Sequence, residues 1–253
     1  MRSHKEGLRV SHVAQEVANA SVSSNFRLKR KARLLARREN IALNRALDRI
    51  ASTEGFQSWG QLASFHHRSR PEAAIFSSLK PGEMLLLAAR PGQGKTVLGL
   101  QLLSQATAQG FNSVFLSSEF SDDDVQETLV QTGIGRQRST EIEIELSDTL
   151  CADMIIKRLS GTPEGSIAVV DYLQVLDQRR VAPELPDQLA ALRKLADTSR
   201  VRLVFLSQIH RSYDPSKKSL PDVSDIRLPN PVDLSVFDKG CFLHNGEMTL
   251  CSL

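Results

Sequence analysis

From about residue 84 to residue 206, short runs of consecutive apolar residues alternate with amphipathic stretches. The runs are Met84-Leu85-Leu86-Leu87-Ala88-Ala89, Ser113-Val114-Phe115-Leu116-Ser117-Ser118, Ile167-Ala168-Val169-Val170 and Val201-Arg202-Leu203-Val204-Phe205-Leu206. Each is too short and too continuous for a half-exposed helix and reads as a strand buried on both faces. Residues 96–109, a stretch beginning near Asp122-Asp123-Asp124, and residues 186–199 carry helical spacing between them. Glu141-Ile142-Glu143-Ile144-Glu145 alternates strictly, the pattern of an edge strand. Strands and helices in this order predict an α/β domain with a mostly parallel twisted sheet covered on both faces, its ligands at the carboxyl ends of the strands.

Upstream the pattern changes. Arg27-Leu28-Lys29-Arg30-Lys31-Ala32-Arg33-Leu34-Leu35-Ala36-Arg37-Arg38 places leucines and alanines at helical spacing among seven basic residues, and Ile41, Leu43, Ala46, Leu47 and Ile50 continue the register. One long basic amphipathic helix is expected, ending at Gly55. A short second helix begins around Phe56-Gln57-Ser58-Trp59, with Ser58 as N-cap and Phe56, Trp59 and Leu62 pinning the pair together. The polar stretch His66-His67-Arg68-Ser69-Arg70-Pro71-Glu72 reads as a linker, so the expected division is a basic helical region over 1–70 and the larger α/β domain over 71–253.

Charge sharpens that division. The whole chain is only +3, but residues 1–70 hold 14 Lys/Arg against 5 Asp/Glu, and the remaining 183 residues hold 18 against 24. A basic arm on a mildly acidic body suits contact with phosphate backbones or with an acidic protein. Arg27, Lys29, Arg30, Lys31, Arg33, Arg37 and Arg38 are the candidate nucleic-acid contacts. With 41% hydrophobic and 24% charged residues, the composition is that of an ordinary globular protein. No apolar run approaches the roughly 18 residues of a membrane span, and Met1-Arg2-Ser3-His4-Lys5-Glu6 lacks a signal-peptide core. Cys151, Cys241 and Cys251 are odd in number and lack metal spacing, as expected of reduced thiols in a cytoplasmic protein.

The chemistry concentrates after the first apolar run. Ala89-Arg90-Pro91-Gly92-Gln93-Gly94-Lys95-Thr96 sits between that strand and the next helix, the context of a phosphate-binding loop. Glycines let successive backbone amides turn toward a phosphate, and the helix adds its positive end. Lys95 is placed to reach the terminal phosphates and Thr96 to ligate magnesium, so ATP and Mg2+ are the expected ligands. The general motif has glycine where Ala89 stands. Asp171 closes the run Ile167–Val170 and completes the magnesium site. Glu119, one residue beyond the 113–118 run, is the candidate base for the attacking water. Gln208, just past the 201–206 run, can sense the γ-phosphate through its amide.

These motifs together resemble the RecA-like ATPase domain of the DnaB-type replicative helicases, over about residues 79–227. Ala89-Arg90-Pro91 before Gly94-Lys95-Thr96 is how that family writes its phosphate loop. Ser117-Ser118-Glu119-Phe120-Ser121 resembles the segment whose glutamate is the catalytic base. Asp171-Tyr172-Leu173-Gln174 is similar to the magnesium motif, and Ser207-Gln208-Ile209-His210-Arg211 and Pro221-Asp222-Val223-Ser224-Asp225-Ile226-Arg227 continue the likeness. The resemblance implies a RecA-like fold, ATP hydrolysis by Glu119, Lys95 and Gln208, contact with nucleic acid (DNA in this family), and assembly as a homo-oligomer, a hexamer in its ring helicases.

There are departures. The first 70 residues do not resemble the family's own N-terminal domain. The family supplies an arginine finger from a late Lys-x-Arg-Asn-Gly segment; the nearest match here, Phe242-Leu243-His244-Asn245-Gly246, has Phe242 and His244 in place of the cations. Arg211 and Arg227 are the alternative finger or sensor candidates. An ATPase acting on or with nucleic acid is therefore the first reading. A KaiC-like switch that binds a protein partner on ATP, with little turnover and no unwinding, is the second. A small-molecule kinase is the weakest, because no arginine lid lies between Glu119 and Asp171.

Overall fold

The computed structural model describes residues 22–53, 57–60, 71–131, 141–177, 183–228, 230, 232–245 and 247–253. Phe56, Leu62, the histidine pair and most of the expected linker lie outside them. The chain divides into two units, Met1–Ala74 with His244–Met248, and Ile75–Leu243 with Thr249–Leu253.

In the first unit the expected long helix is two. Helix α1 (Val22–Glu39) and helix α2 (Leu43–Thr53) are separated at Asn40, which takes φ +51°, and the Ile41 amide reaches back to the Ala36 carbonyl at 3.1 Å. Asparagine tolerates this left-handed conformation better than most residues and ends helices for that reason. The apolar register continues across the break, which is why periodicity alone does not reveal it. Leu28 and Ala51 form a small core on which Ile50 and Trp59 pack, and the Trp59 amide donates to Asp48 Oδ1 at 2.9 Å. An Arg49–Glu39 ion pair at 2.5 Å spans the two helices. Trp59 thus takes the packing role expected of it.

The second unit begins within helix α3 (Pro71–Ser78), where Pro71 and Glu72 open a helix instead of continuing a linker. Strand β1 (Met84–Ala89) and helix α4 (Lys95–Thr107) follow, then β2 (Ser113–Ser117), α5 (Asp122–Gln131), β3 (Ile142–Leu146) and α6 (Ala152–Leu159). Next come β4 (Ile167–Asp171), a 3-10 turn (Leu173–Asp177), α7 (Leu185–Ser199), β5 (Arg202–Gln208), β6 (Lys239–His244) and β7 (Glu247–Ser252). The seven strands form one sheet in the order β3-β2-β4-β5-β1-β6-β7. The pairs β1–β5, β1–β6, β2–β3, β2–β4 and β4–β5 are all parallel.

Both faces are covered. On one, Met84, Leu86, Val114, Leu116, Ala168, Val170, Leu203 and Phe205 pack with Ile155 and Leu159 of α6 and with Leu185, Leu189 and Leu192 of α7. On the other, α4 lies so close that a Cβ at Gly99 would stand 3.1 Å from Val169 and 3.4 Å from Leu206. Strands β1, β2 and β4 are buried along their whole length, as continuous apolar runs require. Beneath the strand bases, Arg202 lies buried between Phe76 and Phe111, its guanidinium carbon 4.6 and 5.0 Å from the two ring centres. It donates to the carbonyls of Leu79 (2.7 Å) and Gly165, so the buried cation is hydrogen-bonded as burial demands. At the rim, β3 turns Glu143 and Glu145 toward Arg158 of α6.

Candidate nucleotide site

Register brings the chemistry together. Ala89 is opposite Gln208, and Ser117 is opposite Asp171, so the ends of β1, β2, β4 and β5 share one sheet edge. Ala89 is an ordinary buried strand residue with its carbonyl accepting from the Ile209 amide at 3.1 Å. No positive φ is required there, and alanine serves where the general motif has glycine. The turn proper comes later. Gly92 and Gly94 take φ +73° and +90°, values that side-chain-bearing residues rarely adopt, and Gly94 is the N-cap of α4. The Gln93 amide closes the turn on the Arg90 carbonyl at 3.2 Å. A turn of this kind at the start of a 13-residue helix directs amides and the positive helix end at one point.

Lys95 and Thr96, the first two residues of α4, meet Asp171 from across the sheet. The Thr96 hydroxyl donates to Asp171 Oδ2 at 2.9 Å, and Lys95 Nζ lies 3.5 Å from Oδ1. The Asp171 side chain is fully buried and that of Lys95 is 13% exposed. Among the described residues Oδ1 has no hydrogen-bond partner, leaving the ammonium as its compensation. A buried carboxylate with a spare oxygen beside a threonine hydroxyl is a hard-oxygen donor set suited to Mg2+. Tyr172 adds its ring 6.0 Å from Lys95 Nζ.

Glu119 stands two residues beyond β2, exposed, with its amide donating to Ser117 Oγ at 3.1 Å. Phe120 beside it packs edge-on against Phe115 at 6.3 Å, which anchors this turn to the core. Gln208 ends β5, partly exposed.

No family model matches the chain. Curated relatives do. The probable plasmid replicative DNA helicase of Chlamydia trachomatis is 26% identical over 180 residues, covering 59% of this chain and 40% of that protein. The replicative DNA helicase DnaB of Pasteurella multocida is 26% identical over 247 residues, covering 81% and 51%. The chain therefore spans about half the length, or less, of these relatives. Among solved structures, a DnaB-like replicative helicase studied with primase superposes with TM-score 0.54 at 19% identity, over 66% of this chain and 48% of that one. A second solved structure, a separate ATPase domain, superposes with TM-score 0.53 at 20% identity, over 68% and 74%. The fold is that of a DnaB-like, RecA-type ATPase domain.

Within this parallel-sheet domain the two finger or sensor candidates lie on the two limbs of one loop, residues 209–227. Arg211 and Arg227 are both exposed at its base. Their backbones are firmly held: the Arg227 amide donates to the Gln208 carbonyl at 2.8 Å, and the Arg211 carbonyl accepts from Arg90 at 2.6 Å. Two contacts here escape sequence reasoning. Arg90 keeps its backbone in the phosphate turn but sends its guanidinium to the 211–213 segment. Gln174, buried three residues after Asp171, donates to Ser207 Oγ and to the Arg227 carbonyl. Its place in Asp-Tyr-Leu-Gln is the one signal the sequence offers, and that signal gives no partner.

The Phe242–His244 segment does not project as a finger would. It belongs to β6, with Phe242 opposite Ala88 and Leu243 opposite Ala89, and Phe242 and His244 are both buried. Full burial pushes the Cys241 thiol up and keeps it protonated, and partial desolvation raises the thiol of the exposed Cys251 as well. Among the described residues no cluster of His, Cys, Asp and Glu could hold a metal ion, and no helix is long and apolar enough to cross a membrane.

In the first unit, Arg30, Lys31, Arg33, Arg37 and Arg38 lie along α1, all at least partly exposed, with Leu34 among them 59% exposed. Lys29 is half-buried; burial, then the Arg33 charge, lowers its pKa. Arg27 lies on the same helix.

Proposed function

We propose that the chain binds Mg-ATP at residues 89–96 and Asp171, hydrolyses it, and couples that cycle to nucleic acid, as a helicase-like motor or its accessory. The observation that carries the reading is the meeting of Lys95, Thr96 and Asp171, drawn from two distant motifs onto one point at the sheet edge. Amides of 92–96 hold the β- and γ-phosphates. Lys95, presented beside Asp171, is within reach of the γ-phosphate and balances its charge. Thr96 and Asp171 would hold Mg2+, which would neutralise phosphate charge when bound. Glu119 accepts the proton of the attacking water, and its exposure leaves it free to meet a solvent nucleophile. Gln208, beside Ala89 in the sheet, reports the γ-phosphate through its amide.

The relatives' names, replicative DNA helicases, favour DNA as the nucleic acid. The exposed basic face of α1 is the element we assign to its phosphates, within a basic region over 1–70 distinct from an ATPase domain over 71–253. Assembly as a homo-oligomer, with Arg211 or Arg227 reaching a neighbour's nucleotide, completes the reading. A second reading, a nucleotide switch for a protein partner with little turnover, is favoured by the burial of Phe242 and His244.

Steady-state ATP hydrolysis with and without single-stranded DNA, at low and moderate salt, separates the two. Salt-sensitive stimulation is the expected result. Tight ATP binding with negligible turnover indifferent to DNA overturns the motor reading and leaves the switch.

A further inference from the structure

The 209–227 loop is braced internally. Ile209 and Ile226 form an antiparallel bridge at its neck, and the His210 amide donates to the Asp225 carbonyl at 2.7 Å. The buried Tyr213 hydroxyl points at the carbonyls of Lys218 and Ser219, 2.8 and 3.0 Å away. Lys218 bridges Asp222 and Asp225, and those two aspartates form a reciprocal capping box. A segment braced at so many points shifts as one body.

Two side chains tie that body to the nucleotide motifs, one on each limb. On the outgoing limb, Arg90 Nη2 donates to the carbonyls of Arg211 (2.6 Å) and Tyr213 (2.7 Å), and its guanidinium lies 5.5 Å from the centre of the Tyr213 ring. On the returning limb, Gln174 Nε2 donates to the Arg227 carbonyl (2.6 Å) and to Ser207 Oγ (2.9 Å) from a position 4% exposed. The backbone of Arg90 is the hinge of the phosphate turn, since its carbonyl accepts from Gln93. Gln174 follows Asp171 by three residues on a tight turn. Ala88, Ile209, Tyr213 and Phe242 fill the space between with a small apolar cluster.

We propose that Arg90 and Gln174 are positioning residues that carry nucleotide occupancy from the phosphate turn and the Asp171 turn to the two limbs of loop 209–227. The inference rests on the nucleotide reading above. Residue type supports it at both ends. The guanidinium offers both N–H donors of Nη2 to the two carbonyls while its fixed plane lies against the ring, a geometry that a lysine ammonium does not reproduce. A glutamine amide serves both a hydroxyl and a carbonyl, which an apolar side chain of similar size cannot. Exposed on the loop so controlled are His210, Arg211, Ser212, Ser216, Lys217 and Ser219, with Lys218 partly exposed between them.

The test is backbone hydrogen exchange across 209–227 in the full chain, with and without Mg2+ and a non-hydrolysable ATP analogue, for the wild type, Arg90→Lys and Gln174→Leu. Analogue binding is measured separately by fluorescence. In the wild type, binding is expected to change exchange in the loop by about threefold or more, the scale of a modest local opening equilibrium. Both variants are expected to lose that nucleotide-dependent change while β1, β4 and β5 exchange as in the wild type. A purely structural role would alter exchange equally with and without nucleotide. The inference is overturned if the wild-type loop ignores bound analogue, or if either variant keeps the full response. Absence of analogue binding by the wild type overturns the nucleotide reading itself, and this inference with it.

Discussion

Thr96 Oγ1 and Asp171 Oδ2 are 2.9 Å apart, although 75 residues separate them in the chain. Lys95 completes the group, and among the described residues its ammonium alone compensates a fully buried carboxylate oxygen. Lys95→Ala is expected to abolish ATP binding at millimolar nucleotide. It should also leave Asp171 as an uncompensated buried acid, lowering stability by about 1–3 kcal/mol. Nucleotide titration and a urea midpoint on the same sample check both halves. A variant that still binds ATP tightly removes Lys95 from the phosphate site.

Glu119→Gln separates binding from chemistry. The amide keeps the shape of the side chain but cannot take a proton, so turnover should fall by about 10²- to 10⁴-fold with little change in ATP affinity. Single-turnover hydrolysis is the measurement. Normal hydrolysis by this variant would assign the base elsewhere.

Gly165 tests the packing beneath the strands. It takes φ +82°, and a Cβ there would stand 2.7 Å from the Phe111 ring that covers Arg202. Gly165→Ala therefore combines an unfavourable backbone conformation with overpacking, and a loss of about 2–4 kcal/mol is expected by chemical denaturation. Gly161→Ala, also at positive φ but with nothing within 4 Å, should cost distinctly less.

Acid should loosen the 209–227 loop. The hydrogen bond from Lys218, then that from Ser224, hold the Asp222 carboxyl below its ordinary value of 3.8. A carboxylate whose folded pKa is depressed contributes stability that is complete above the unfolded value and lost as pH falls through the folded one. For Lys218, burial acts downward, but hydrogen bonds to Asp222 and Asp225 prevail and raise its pKa above 10.5. Its contribution is thus complete below that value and lost only at higher pH. Between these limits the contribution of the Asp222–Lys218 pair should be constant, and its loss should accelerate proteolytic cleavage within the loop only below about pH 4. Asp222→Asn should remove that acid step; an unchanged profile would show that the pair does not hold the loop.

The basic face of α1 makes a prediction about salt. Replacing Arg30, Arg33, Arg37 and Arg38 with alanine should weaken nucleic-acid binding without regard to sequence. The slope of log affinity against log salt should flatten by about 0.7–0.9 for each phosphate that is no longer neutralised. Binding isotherms over a series of salt concentrations decide it. An unchanged slope points the exposed face, with Leu34 at its centre, toward a protein instead.

Much of the fold was legible because β1, β2, β4 and β5 are buried on both faces and therefore write themselves as apolar runs. Strand β6 was harder: Lys239-Gly240-Cys241-Phe242-Leu243-His244 mixes a cation, a glycine and a histidine into a buried strand. The break at Asn40 was hidden because the apolar spacing runs through it without glycine or proline. Lys95, Thr96 and Asp171 could be read because each follows a strand in a fixed local pattern. The contacts of Arg90 and Gln174 could not, since their partners lie 121 and 53 residues away and are backbone carbonyls, which any residue supplies.

The acidic rim formed by β3 has a bearing on how copies of the chain can meet. A parallel sheet with an open side strand offers a row of free peptide groups to any extended segment that drifts past. Among the described residues, such a visitor would be laid beside Glu143 and Glu145, which already share the guanidinium of Arg158. Repulsion of that kind discourages strand-to-strand joining on the β3 side of the sheet.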